Sequence, residues 1–253
     1  MPPLQIHSQY LSCISDHHFK HLGSILIVDN GSTDGTISEI QKFIALSPNK
    51  NKFHFHLNNQ DLGYGYSINF GLNYFYSRKD IEFIGVLHSD NQFSSKQLLN
   101  LYISQIKLGS GEILSVARQG NFSSKTAFKQ MVRNFGNKVI SMLGKISTGN
   151  RNLQDFNTPF FFAQKSHLLQ ISSLYNLGSD LLFHPRLNLI FATISEVKTL
   201  TCDWKRASKT SVSPVTKLGI QIVSIFVKFA WYLRLKKFSP MLSYELATKL
   251  KKI

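Results

Sequence analysis

Acidic side chains recur where apolar runs stop. Asp29 closes Ile25-Leu26-Ile27-Val28, and Asn30-Gly31-Ser32-Thr33-Asp34-Gly35-Thr36 follows before apolar residues resume at Ile37, Ile40 and Ile44. His88-Ser89-Asp90-Asn91-Gln92 follows a second apolar run over 82–87, and a lone carboxylate, Asp155, precedes a turn and the aromatic run Phe160-Phe161-Phe162. In an open α/β sheet, a carboxylate just past a strand end sits where loops and helix N-termini converge, and that geometry suits a nucleotide. The same residues also suit an ordinary strand-turn-helix capped by Asp34 or Ser32, with Asp90 as a solvated loop acid.

The elements that must position these groups follow from periodicity. Four consecutive branched residues before Asp29 fit a parallel strand covered on both faces, and Asn30-Gly31 permits a tight turn into a helix. Residues 52–57 alternate as a second strand, 64–76 read as an aromatic-rich helix, 82–87 as a third strand, 95–106 as a helix and 112–117 as a fourth strand. Strands alternating with helices imply right-handed crossovers and a mainly parallel sheet, so both acidic turns are expected on one edge. Residues 120–149 are basic and helical and suit a connection lying over that edge.

With 253 residues, 43% of them hydrophobic, the chain can bury the core of one large α/β domain. Cys13 and Cys202 lie far apart without a CxxC or His-rich spacing, which argues against a disulfide framework or structural zinc and for a reducing compartment. No basic stretch joined to a long apolar run opens the sequence, so no secretory signal is expected. Net charge is +15, and residues 201–253 carry 11 Lys/Arg against 2 Asp/Glu, or +9. Charge alone could attract nucleic acid, anionic lipid or phosphorylated substrates, but no aromatic-basic motif of a nucleic-acid module is present, and no specific nucleic acid is expected.

Over 215–235 the apolar content is high, but Lys217, Gln221, Ser224 and Lys228 line one helical face. A spanning helix needs about 20 largely uncharged residues, so an in-plane interfacial helix fits better, with Trp231, Tyr232, Arg234, Lys236 and Lys237 at headgroup level. An amphipathic helix packed on the domain itself is the alternative. The expected division is a catalytic domain over 1–211 and a basic amphipathic helical segment over 212–253.

Taken in order, these motifs resemble the family-two glycosyltransferases of GT-A fold, most closely the polyprenyl-phosphate or dolichyl-phosphate sugar synthase branch. Residues 28–36 are similar to that family's DDGSxDGT run, with Asn30 in place of the second Asp. Asp61-Leu62-Gly63-Tyr64-Gly65-Tyr66-Ser67-Ile68-Asn69-Phe70-Gly71 resembles its NxGxgxAxNxG turn and helix, with Asp61 for the usual Asn and Ser67 for Ala. The resemblance implies a Rossmann-like, mainly parallel sheet flanked by helices, and a nucleotide-sugar site drawn from Asp29, Asn30, Gly31, Ser32, Asp34, Gly63 and Asn69.

The metal motif of the family falls on His88, Asp90 and Gln92, with His88 in place of the commoner Asp, and implies Mg²⁺ or Mn²⁺ on the donor diphosphate. Imidazole suits Mn²⁺ better than Mg²⁺. Asp155, with Pro159 replacing the family's Gly, corresponds to the catalytic or acceptor-positioning carboxylate. Residues 194–197 resemble the family's i-x-E-v-P strand. The following cluster, 204–211, is similar to its RxxGxSk loop, in which Arg206 and Lys209 would hold donor or lipid phosphate.

The implied activity is inverting transfer of a sugar from a nucleotide donor to a lipid phosphate or glycan, at the cytoplasmic face of a membrane. The family's opening strand, which precedes the Asp29 turn, has no counterpart in 1–23. Either the chain is truncated, or the sheet is completed differently, or donor binding is lost; a catalytically inactive homologue acting as a binding protein is the competing expectation.

Overall fold

The computed structural model describes residues 14, 16–88, 94–108, 113–119, 127–170, 182–194, 197–203 and 219–228. A short helix α1 (Asp16–Phe19) leads into strand β1 (Ile25–Asp29), helix α2 (Thr36–Leu46), strand β2 (Phe53–Leu57) and helix α3 (Tyr64–Tyr76). Strand β3 (Phe83–Gly85), helix α4 (Ser95–Leu108), strand β4 (Ile113–Gln119) and the long helix α5 (Ala127–Thr148) follow. The remaining elements are β5 (Phe161–Gln164), α6 (Lys165–Gln170), α7 (Phe183–Ile194), β6 (Val197–Asp203) and a helical stretch over 219–228.

β1 and β2 pair in parallel from Ile25 opposite Phe53 to Asp29 opposite Leu57. β3, β5, β4 and β6 form a second sheet in that order, in which β4 and β6 are parallel and β5 runs antiparallel to both of its neighbours. The alternation of strands and helices is as read from the sequence. β5 was not legible as a strand, and Ile194 ends a helix rather than opening the strand that follows.

β5 shows why this sheet forms. Phe160, Phe161, Phe162 and Ala163 are all buried, and successive side chains point to opposite faces. Phe161 meets Phe191 of α7 edge-on at 5.3 Å, whereas Phe162 stacks on Tyr102 of α4 at 4.8 Å and on Phe83 at 5.3 Å. A strand buried on both faces reads as an unbroken apolar run. α7 is buried from Phe183 to Ala192, and Asn188 in its middle donates to the carbonyls of Phe156 (3.1 Å) and Thr158 (3.0 Å). That contact fixes the Asp155 loop against the core and satisfies two buried carbonyls.

Residues 219–228 pack on the domain. Ile222, Ile225 and Phe226 join the main hydrophobic cluster, Phe226 meets Phe156 edge-on, and Ser147 of α5 donates to the Phe226 carbonyl. Ile222, Ile225 and Phe226 are thus covered by protein, whereas Ile220 and Val227 are exposed, and Lys217, Trp231, Tyr232, Arg234, Lys236 and Lys237 lie outside the described residues. No helix among the described residues is long and apolar enough to cross a membrane.

Candidate functional site

The turn after β1 is built around two side chains. Asp29, 5% exposed, accepts from the Ser32 amide at 2.7 Å and from the Ser32 hydroxyl at 2.6 Å. Ser32 is thereby turned toward the strand end, and Asp34 serves the helix, accepting from the Thr36 amide and hydroxyl. Gly31 has φ of 84°, and a Cβ there would lie 2.6 Å from the Gln60 carbonyl carbon, so only glycine lets this turn press against the loop after β2.

Asn30 ties the two loops together. Its carbonyl oxygen accepts from Asn58 (2.9 Å) and from the Leu62 amide (3.1 Å), and its amide donates to Asp61. Asp61 in turn accepts from the Gly63 amide at 2.9 Å, where the chain turns into α3. Gly63 (φ 87°, ψ 155°) precedes α3 with no side-chain cap, and the positive end of a helix dipole favours an anion.

The other wall is the chain leaving β3. The hydroxyl of Tyr64 hydrogen-bonds Nε2 of His88, whose ring lies 4.7 Å from that of Tyr64 and edge-on to Phe160 at 5.2 Å. His184 of α7 joins this cluster, its ring 4.5 Å from Tyr64 and 6.2 Å from His88. Between the walls lies a cleft of about 680 Å³ whose polar rim is Asn30, Asp61, Gly63, Tyr64, Ser67 and His88. The carboxyl ends of β1 and β3 therefore open on one cavity.

Of the residues expected at the site, Asn30, Gly63 and His88 line this cleft. Asp29, Gly31, Ser32 and Asp34 shape the turn behind it. Asn69 is buried on α3, its side-chain oxygen without a hydrogen-bond partner among the described residues, and does not line the cleft. Asp155 is buried in the loop before β5 and accepts from the Asn157 amide at 3.0 Å. Asp90, Gln92, Arg206 and Lys209 lie outside the described residues. Tyr64 and His184 were missed: the one reads as an ordinary aromatic helix position, and the other has no motif beside it in the chain.

Among the described residues no cluster of three or more His, Cys, Asp or Glu could hold a metal. His88 is the described member of the expected metal set, and its Nε2 already has the Tyr64 hydroxyl as partner.

The glycosyl transferase family 2 profile matches residues 23–176, more than half of the chain. No relative is found among curated protein sequences. Among solved structures, the chain is similar to a mannosyltransferase from Pyrobaculum calidifontis in complex with GDP-Man and Mn²⁺, with TM-score 0.55, 13% identity, and coverage of 98% of this chain and 66% of that one. It is also similar to glucosyl-3-phosphoglycerate synthase from Mycobacterium tuberculosis in complex with phosphoglyceric acid, with TM-score 0.52, 10% identity, and coverage of 90% and 74%. The architecture is thus that of a GT-A glycosyltransferase. The chain belongs to glycosyl transferase family 2, and it spans 66% of the length of the Pyrobaculum protein.

Proposed function

We propose that this protein transfers a sugar with inversion from a nucleotide-diphosphate donor, the acceptor being a lipid phosphate or a glycan. The observation that carries the reading is the single cleft shared by the Asn30–Asp61–Gly63 turn and by His88. In this reading Asp29 holds the turn at which the base is read, and the N-terminus of α3 faces the diphosphate. An acceptor oxygen attacks the anomeric carbon as the bond to the leaving diphosphate breaks, and the nucleoside diphosphate departs with that electron pair. A phosphate acceptor is already ionised at neutral pH, so Asp155 would position it rather than deprotonate it.

Arg206 and Lys209 are assigned to phosphate charge, and Asp90 with Gln92 and His88 to Mg²⁺ or Mn²⁺, which would neutralise the leaving diphosphate. The mannosyltransferase neighbour was solved with Mn²⁺, which supports a divalent cation here.

A lipid acceptor draws support from α5. Met131, Phe135, Met142 and Ile146 are all more than half exposed and recur at helical spacing, with Lys138 and Lys145 alongside. An apolar stripe flanked by lysines suits the surface of an anionic bilayer. Contact at the cytoplasmic face would then come from α5 rather than from 219–228.

A second reading, donor binding without turnover, is favoured by the Tyr64 hydroxyl occupying Nε2 of His88. Incubation with nucleotide sugars, Mn²⁺ and a polyprenyl phosphate separates the two. Release of nucleoside diphosphate with a glycosylated lipid supports transfer; saturable donor binding with no product supports the second reading; neither binding nor product refutes both.

A further inference from the structure

We propose that His56, on β2 and outside the cleft, is a positioning residue of the candidate donor site: through Asn58 it fixes the side chain of Asn30 on the cleft rim. What the cleft holds rests on the sugar-transfer reading; the chain of hydrogen bonds that aims Asn30 does not.

His54, His56 and Asn58 alternate along β2 and its end, and α3 covers them in turn. The His54 ring packs on Tyr74 at 5.4 Å, His56 stacks on Phe70 at 3.7 Å and 16°, and Asn58 reaches the Ser67 hydroxyl at 3.5 Å. Strand positions two apart thus meet helix positions three and four apart. The third contact arrives at the cleft, whose polar rim includes Ser67 and Asn30. Asn58 is 4% exposed and bonds both of them, donating to Oδ1 of Asn30 at 2.9 Å.

The direction of each bond follows from two unambiguous partners. The Leu62 backbone amide only donates, and the Asp61 carboxylate only accepts. Asn30 therefore turns its oxygen to Leu62 and its nitrogen to Asp61. Asn58 must present its nitrogen to that oxygen, which leaves its own oxygen toward His56, 3.2 Å from Nε2. Nε2 of His56 must then carry a hydrogen. The bonds from His56 through Asn58 and Asn30 all point toward the Asp61 carboxylate, and such a series polarises itself. Stacking on Phe70 holds the imidazole plane, so Nε2 stays aimed at Asn58. An apolar ring at position 56 would pack on Phe70 as well, but it would leave the oxygen of a buried asparagine without a donor. The Asn58 amide would then turn away from Asn30 to find one.

Two substitutions separate packing from aiming. His56→Phe keeps a flat ring on Phe70 and removes the N–H; His56→Gln removes the ring and returns an N–H at similar reach. In ¹⁵N spectra of the full chain, the side-chain amides of Asn30 and Asn58 should keep their native shifts in the glutamine variant and lose them in the phenylalanine variant. Affinity for GDP-mannose or UDP-glucose should fall about fivefold in His56→Phe, the worth of one hydrogen bond, and recover in His56→Gln. It should fall no further when His56→Phe is added to Asn30→Ala, because His56 acts through Asn30. Native Asn30 and Asn58 amide signals in His56→Phe would overturn the proposal. So would a loss of affinity in His56→Gln as large as in His56→Phe, or losses that add in full to that of Asn30→Ala, since packing alone behaves in that way. Native protein that binds neither nucleotide sugar would refute the donor reading instead, and the amide signals would still decide whether His56 aims Asn30.

Discussion

The side-chain amide of Asn30 donates to the carboxylate of Asp61, so a departure from the family's acidic turn and one of the departures from its glycine-spaced loop meet in one contact. The pattern carries Asp at the first position and Asn at the second; here the two are exchanged. One carboxylate and one amide are kept, with the amide now on the acidic turn and donating to the loop.

That exchange gives a double-mutant test. Asn30→Asp alone places two carboxylates in hydrogen-bond range and removes the donor, and should lower stability at pH 7 by about 1–3 kcal/mol, with recovery as the pH falls toward 4. Adding Asp61→Asn should restore most of the loss. Urea unfolding of the two singles and the double measures the coupling; strict additivity would show that the contact does not operate in solution.

Tyr64→Phe removes the hydroxyl that holds Nε2 of His88 while leaving the ring packed. Donor affinity should fall roughly five- to tenfold, the worth of about 1 kcal/mol, with Tm nearly unchanged. Calorimetric titration of a nucleotide sugar reads it, and unaltered affinity would show that the Tyr64–His88 contact plays no part in holding the donor.

Gly144→Ala sets two effects against each other. Alanine improves helix propensity by about 1 kcal/mol, but its Cβ in α5 would sit 2.6 Å from the buried ring of Phe156. Overpacking against a buried aromatic costs about 1–3 kcal/mol, so the substitution should destabilise on balance, as thermal unfolding would show.

His18 is buried, and that burial holds its pKa below the ordinary 6.5 against the opposing Asn100 hydrogen bond; the charges of His17, Lys96 and His21 act in the same direction as burial. The folded state therefore binds fewer protons than the unfolded one below pH 6.5. Stability is full above that value and declines as the pH falls through the lowered folded value. His18→Gln should flatten this part of the profile relative to the native chain, as Tm measured from pH 8 to 5 would reveal.

Exposed residues on α5 give a test of the membrane reading. Phe135, 69% exposed, and Met142, 54% exposed, contribute little to the core. Replacing both with Ser should leave unfolding stability within about 0.5 kcal/mol of native while reducing sedimentation with phosphatidylserine vesicles severalfold. Undiminished vesicle binding would place the contact elsewhere.

The legible parts of the fold were those encoded locally. α3 runs over 64–76 as periodicity predicts, because Gly63 releases the chain and the apolar positions repeat at helical spacing. β5 was hidden because Phe160-Phe161-Phe162 follows Pro159 and carries no alternation, and its antiparallel setting depends on partners far away in the chain. The strand-end rule set the Asp29 turn and the 88–92 run on one edge; Asn30 and His88 line one cleft, while Asp90 lies outside the described residues. The rule could not show that Asp29 is occupied by Ser32, nor that His184 joins Tyr64, since both depend on distances that only folding creates.

The central claim is that the cleft between the Asn30–Asp61 turn and His88 takes a nucleotide-sugar donor with a divalent cation. Calorimetric titration of GDP- and UDP-sugars, with and without Mn²⁺, into the native chain and into Asp90→Asn and Gly63→Val tests it most directly. The account predicts one-to-one binding that Mn²⁺ strengthens, a loss of that strengthening in the first variant and a loss of binding in the second. Binding indifferent to Mn²⁺ and to both substitutions would contradict it.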